Sequence, residues 1–548
     1  MLYNLNWLQP GRQFPPRSEE ARIERYKQNK ALFEGEHFAE THVSQTRKYD
    51  NSPATVQLYR DCARRISRVI SNFEEHISFP VLLNYQRLMT LKMADLVCGE
   101  YPSISGSNAF ENSVIEDVRD FSDLDAKLYS TVIDLSRYGD AVYRIYLDAE
   151  HDKRANFAIW DPAEWFPVVA QDGTYTITHH CICWRENLTP DGPIDTWVLH
   201  AQIHGTRKED LGHYEHRVYA MDGYCGTIGV LKSTEVVQTG LEVCAIRHIR
   251  AYAVSGNIYG FDDYVTLDSL LGEIMARVGQ ISVILDKHAD PSMTGPLSML
   301  ETDPKTGEKY IKMGKFFGVA QGDEQPKYLT WDGQLTAAFK ELETLINQLY
   351  ILSEMGAALL GSTDGSGQAI SGTAMRFKMV NPLAKARRVS NSLTRPIKEL
   401  IHVLSADAEK PELPETEPVE GVEPPSTTLP IAYKNISIEW SDGLPDDPRE
   451  SIENAKLATG ETKMMPLEVA IRRFFKRSQQ EAEAWATQIM EQSKAKAAAF
   501  GVGGQGAEDD DDPNHPGPQD GTGVNPTKKG SATGVSNFHS DTNGDVSE

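Results

Sequence analysis

Residues 333–404 read GQLTAAFKELETLINQLYILSEMGAALLGSTDGSGQAISGTAMRFKMVNPLAKARRVSNSLTRPIKELIHVL. Leu335, Phe339, Leu342, Ile346 and Leu349 recur at alternating spacings of four and three, the mark of one apolar seam along a helix. The run Gly361 to Gln368 has no side chain large enough to build a core, so it predicts an exposed or cavity-facing hinge. A second helix is predicted from Ser371, with Met379, Leu383, Ala386, Leu393, Ile397, Leu400 and Leu404 as its seam. Arg376, Lys378, Lys385, Arg387, Arg388, Arg395 and Lys398 make its remaining faces basic. At about 1.5 Å per residue, its 34 residues would reach roughly 50 Å. Pro382 and Pro396 should kink it.

The whole chain has 548 residues, 40% hydrophobic and 24% charged, enough to bury a sizeable core in several modules. No run of eighteen apolar residues exists and the first residues lack the pattern of a signal peptide, which predicts an intracellular, membrane-free setting. A net charge of -24 argues against gripping nucleic acid over a broad surface, because that needs phosphate neutralisation. It is compatible with DNA sliding past an acidic wall. The six scattered cysteines fit reduced thiols better than a disulfide framework. In His179-His180-Cys181-Ile182-Cys183, strand alternation places His179, Cys181 and Cys183 on one face, but flanking threonines and Trp184 favour an ordinary β-strand over a zinc site.

Organisation along the chain is mixed, and the predicted class is α+β. Helical spacing covers 18–33, 56–73, 82–98 and 124–136, and an alternating strand covers 141–147. Between Phe157 and Tyr252 the period becomes two, giving a β-rich module whose strands are separated by turns such as Asp222-Gly223. Helical spacing returns from Tyr264 to Leu285 after possible caps at Asp262 and Asp263, and Pro291 ends it. A short turn-rich excursion then leads to residue 331. After Leu404, the Pro- and Glu-rich segment 411–430 reads as an extended linker. Ile431, Tyr433, Ile436, Ile438 and Trp440 suggest an irregular strand, Asp447-Pro448 starts a helix closed by Gly460, and Ser478 to Glu481 is a capping box. Residues 501–548, with Asp509 to Asp512, are predicted to be a disordered acidic tail.

Motifs of chemistry are missing. Gly361 to Gln368 lacks the Gly-Lys-Ser/Thr ending of a phosphate-binding loop, and Asp509 to Asp520 has no glutamate at the twelfth position of a calcium loop. No serine, cysteine or paired-carboxylate arrangement forms a defensible catalytic set, so neither an enzyme nor a cofactor or metal is expected.

Several motifs, in their order, resemble portal proteins of tailed double-stranded-DNA bacteriophages. Ser371-Gly372-Thr373-Ala374-Met375-Arg376-Phe377 is similar to that family's Ser-Gly-x-Ala start of a long helix. Supporting stretches are 84–102, 138–146, Ile159-Trp160-Asp161-Pro162 through Pro167, Gly260-Phe261-Asp262-Asp263 and 440–447. The resemblance implies a ring of identical subunits, usually dodecameric, at one capsid vertex, a channel for DNA packaging and ejection, and assembly in the host cytoplasm. It implies a wing over 1–260 with its β-rich part at 157–252, stem helices over 261–290 and 334–360, and a clip over 291–333. A tunnel loop would span 361–370, a long kinked wing helix 371–406, a linker 407–430, and the wing end with a helical crown 431–500.

Implied site residues follow from those segments. Ser362, Thr363, Asp364, Ser366 and Gln368 would face DNA in the tunnel, and Lys305, Lys309, Lys312 and Lys315 would meet motor and adaptors in the clip. Arg376, Lys378, Lys385, Arg387 and Arg388 would form a basic face on the long helix. Implied partners are viral double-stranded DNA, the large terminase subunit, major capsid and scaffolding proteins, and head-completion or tail adaptor proteins, with no membrane. Two other classes compete: an oligomeric scaffold or adaptor without a DNA role, and an enzyme built on His179, Cys181 and Cys183.

Overall fold

The computed structural model describes residues 1–35, 83–151, 153–192, 194–289, short pieces of 293–328, and 335–361, 377–408, 428–441, 448–460, 464–475 and 479–500. The expected helix over 56–73, most of the linker and the acidic tail lie outside the described residues. The chain divides into a unit Met1–Ala482 and a unit Glu483–Glu548. Except for part of the helix α11 named below, the elements that follow belong to the first.

Among the described residues, four helices come first: α1 (Arg17–Glu34), α2 (Tyr85–Cys98), α3 (Ala109–Ser122) and α4 (Leu124–Tyr138), with a short strand β1 (Ser103–Ser105) before α3. Their ends are written in the sequence. Gly35 closes α1 in the left-handed conformation, and the Asn84 and Asn108 side chains accept from Arg87 N–H and Glu111 N–H in the first turns of α2 and α3.

The β-rich region is two sheets. β2 (Asp140–Asp148) lies between β3 (Arg154–Trp160) and β9 (Ile246–Arg250). The strands β4 (Trp165–Val169), β5 (Ile177–Asn187), β6 (Trp197–Gly205), β7 (His213–Met221) and β8 (Ile228–Gln238) form an antiparallel meander in chain order. Val142, Ile246, Trp165 and Ile182 pack between the sheets, and the N-terminal Leu2, Leu8 and Phe14 cover the other face of the meander. The largest core joins α2, α3 and α4 to the three-stranded sheet and to the long helix described next.

Then come α5 (Asp268–Ala289), the strand pairs β10 (Met293–Thr294) with β13 (Lys327–Tyr328) and β11 (Leu300–Thr302) with β12 (Lys309–Ile311), and α6 (Leu335–Leu352). α5 starts four residues after Tyr264, because Asp262 Oδ1 first holds Tyr264 N–H and Val265 N–H in a turn. α6 stops at Leu352, short of the expected 360: Glu354 and Gly356 are left-handed, with φ of 59° and 67°, and only a brief α7 (Gly356–Leu359) follows. The long helix α8 runs over Val380–Leu404. Its 25 residues are fewer than the expected 34, part of the difference falling on 371–376 outside the described residues. Pro382 sits in its first turn, where a missing N–H costs nothing, and the helix continues through Pro396.

Beyond α8, the expected strand over 431–440 is reduced by a tight turn at Tyr433–Asn435 to β14 (Ser437–Glu439), which pairs antiparallel with β1. The helices α9 (Pro448–Thr459), α10 (Leu467–Phe475) and α11 (Gln479–Phe500) complete the described chain. No helix among the described residues is long and apolar enough to cross a membrane.

Candidate functional site

Two motifs far apart in sequence, Tyr138-Gly139-Asp140 and Gly260-Phe261-Asp262-Asp263, meet in space. Gly139 is left-handed (φ 79°), and a Cβ there would lie 2.5 Å from the Phe261 carbonyl carbon. A Cβ on Gly260 would lie 1.9 Å from the Gly139 oxygen, so neither position accepts a side chain. Ala251 N–H donates to Gly139 O (2.8 Å) and Asp263 N–H to Ser136 O (2.9 Å). The fully buried Asp140 carboxylate accepts from Tyr26 Oη (2.5 Å), His248 Nε2 (2.6 Å) and Gly260 N–H (2.9 Å). These bonds satisfy a charge that would otherwise be costly to bury.

The same junction anchors the approach to α5. From α1, Arg25 reaches Asp262 (3.0 Å) and Asp268 (2.5 Å). Burial pushes the Asp268 carboxyl above its ordinary range, and Arg25 opposes that shift. From α8, Lys385 Nζ lies 2.7 Å from Asp263 Oδ1 and donates to Ser353 O at 3.1 Å, just past the end of α6. Asp263 Oδ2 accepts from Ser136 Oγ (2.7 Å), and Thr90 Oγ1 bonds both Ser136 Oγ (3.2 Å) and Tyr264 Oη (2.7 Å). Arg388 and Glu354 form an outer pair at 2.6 Å. Beside these groups is a cavity of about 500 Å³, lined among others by Tyr252, Phe261, Asp263, Leu352, Glu354 and Lys385.

The helices at this junction bury their seams differently. On α8, Leu393, Ile397 and Leu400 are fully buried. On α6, Leu349 is buried and Leu342 and Ile346 are half-buried against the core, but Phe339 is 49% exposed, as are two apolar residues beside the seam, Ile351 (61%) and Leu352 (52%). α6 packs beside α5, and Arg277 of α5 reaches Glu341 of α6 at 3.1 Å.

The residues expected to act together are only partly brought together. Ser362, Thr363, Asp364, Ser366, Gln368, Lys305, Lys312, Lys315 and Arg376 lie outside the described residues. Lys309 opens β12. Lys378, Arg387 and Arg388 are exposed, but Lys385 is not on that face: it is buried and ion-paired, which corrects its place in the expected basic set. Lys385 falls four residues before Val389, in step with Leu393, Ile397 and Ile401, all buried. That register was the available signal. Arg25 and Ser353 carried none, and Asp263 was legible only as a possible cap and part of the Gly260 to Asp263 motif, since their meeting depends on tertiary contacts.

On β5, Cys181 and Cys183 point into the apolar cluster with Phe14 and Phe166. Burial pushes the Cys181 thiol up to about 12 and Cys183 well above its ordinary value, so neither is poised as a thiolate. His180 faces the other side, accepts from Trp165 Nε1 at 3.1 Å, and is held neutral by burial. His179 is half-buried beside Thr178 Oγ1. Among the described residues, no three His, Cys, Asp or Glu side chains cluster closely enough to hold a metal ion.

Comparison with known proteins gives a family. The family described as "Phage portal protein, SPP1 Gp6-like" matches residues 16–181 and 292–495. Among solved structures, the chain is similar to one from the "Virion of native gene transfer agent (GTA) particle", with 12% identity, a TM-score of 0.39 and coverage of 76% of this chain and 93% of that one. It is also similar to one from the "Neck of empty GTA particle computed with C6 symmetry", with 12% identity, a TM-score of 0.41 and coverage of 71% and 89%. A search of curated proteins finds no match.

Proposed function

The chain belongs to the phage portal protein family of SPP1 Gp6-like members, and from that premise we propose that it is the subunit of a closed ring at the capsid vertex. The ring, dodecameric as the family resemblance implies, is the channel through which viral double-stranded DNA is packaged and ejected. Here α5 and α6 are the stem, the strands between them belong to the clip, residues 361–370 are the tunnel loop, and α8 is the long wing helix. The clip receives the large terminase subunit and then the head-completion or tail adaptors. The wing meets capsid and scaffolding proteins. Assembly occurs in the host cytoplasm and the finished ring resides in the virion.

One observation carries this reading: α6 leaves large apolar side chains open within the chain, and a heterologous contact repeated around a ring would cover them. The overall charge of -24 suits a conduit that DNA passes without sticking. The test is to shorten 361–367 in particles. Rings of unchanged subunit number with lost genome retention are expected, and normal genome-filled particles would contradict the channel assignment.

A further inference from the structure

Both ends of the proposed stem converge on one side chain that the basic-face expectation misplaced. We propose that Lys385 is a positioning residue of the portal, locking both stem roots and the first turns of α8 into one body. The proposal rests on the stem assignment above. Its Nζ holds Asp263 Oδ1, ahead of α5, and Ser353 O, behind α6, while its own backbone belongs to α8. Three elements separated in sequence therefore share one ammonium. Burying that charge is tolerable only with such partners, and removing it leaves a partly buried carboxylate with a single hydroxyl donor among the described residues, Ser136.

The surroundings make this a joint. The turn between α6 and α7 carries left-handed Glu354 and Gly356, and a Cβ on Gly356 would lie 3.5 Å from the Lys378 carbonyl oxygen just before α8. On another side is the cavity of about 500 Å³, while Leu349, Met355 and Met379 are buried beside the joint. To that packing the charge contacts add a directional constraint on how α8 sits against the stem. Because α8 follows the proposed tunnel loop in the chain, a displacement of α8 is passed to both stem helices together.

The test uses the full chain in three forms: wild type, Lys385→Met, and Lys385→Met combined with Asp263→Asn. Hydrogen exchange read by mass spectrometry should be about tenfold faster in Lys385→Met at 264–271, 353–359 and 380–386 together, with β5 and β6 unchanged. In the double variant the unpaired carboxylate is gone and thermal stability should recover. Exchange at 353–359 should stay fast, because Ser353 O still lacks its donor, and particles carrying this variant should form rings yet lose DNA retention. A double variant that restores exchange and retention along with stability would overturn the proposal, as would faster exchange confined to 380–386. The exchange arm reads the chain itself. A wild-type chain that makes no ring would remove the portal reading, while exchange would still decide the role of Lys385.

Discussion

Within α8, Leu393, Ile397 and Leu400 are sealed against α2, α3 and the three-stranded sheet, whereas α6 buries Leu349 and half-buries Leu342 and Ile346 of its seam but leaves Phe339, and Ile351 and Leu352 beside the seam, open to solvent. Periodicity reports that a helix has an apolar side; it does not report whose surface covers it. The α8 seam defines the subunit. In the portal reading the exposed Phe339, Ile351 and Leu352 of α6 define the assembly, each large side chain offering about 1.5–3 kcal/mol on full burial.

The comparison can be broken by changing one seam at a time. Leu393→Ala on α8 should cost about 2–5 kcal/mol of subunit stability through lost packing and a residual cavity, measured by denaturant unfolding at concentrations too low for assembly. A cost below about 1 kcal/mol would mean that this seam does not hold the subunit together. Phe339→Lys on α6 should change subunit stability by less than about 1 kcal/mol yet abolish the ring. Native mass measurement checks the second part, and an intact ring would break the comparison from the α6 side.

A finer distinction separates the two cations that tie α8 to α6. The Arg388–Glu354 pair is about half exposed on each side, so Arg388→Ala should cost about 0.2–1 kcal/mol, an effect that shrinks as salt rises. Thermal melts at low and high salt read it. Equal, salt-independent losses for Arg388→Ala and Lys385→Met would erase the contrast between an exposed pair and one made by a buried lysine.

What the sequence disclosed follows the same division between local and distant causes. β7 (His213–Met221) ends against the expected Asp222-Gly223 turn, because alternation and that turn are local signals. The helix stops at Gly35 and Gly139 are local in the same sense. The split of the β-rich region into two sheets was not legible, since β2, outside that region in sequence, is the centre of one of them. β1 was missed: three residues carry no periodicity, and its partner β14 is more than three hundred residues away. The early end of α6 arises from left-handed Glu354, a residue type that gives no warning of that conformation. Of the candidate site, the Gly260 to Asp263 motif was recognised as a string, but its docking onto Gly139 and Asp140, and the capture of Asp263 by Lys385, are tertiary facts.

In the proposed portal ring, another copy of the chain covers Phe339, Ile351 and Leu352 of α6. The most direct measurement is the mass and symmetry of the purified full-length assembly, by native mass measurement with negative-stain imaging of end-on views. A closed ring with a central hole, near twelve subunits and lost in Phe339→Lys, is the predicted result. A chain that stays monomeric or dimeric at every concentration, with wild type and Phe339→Lys indistinguishable, would contradict it.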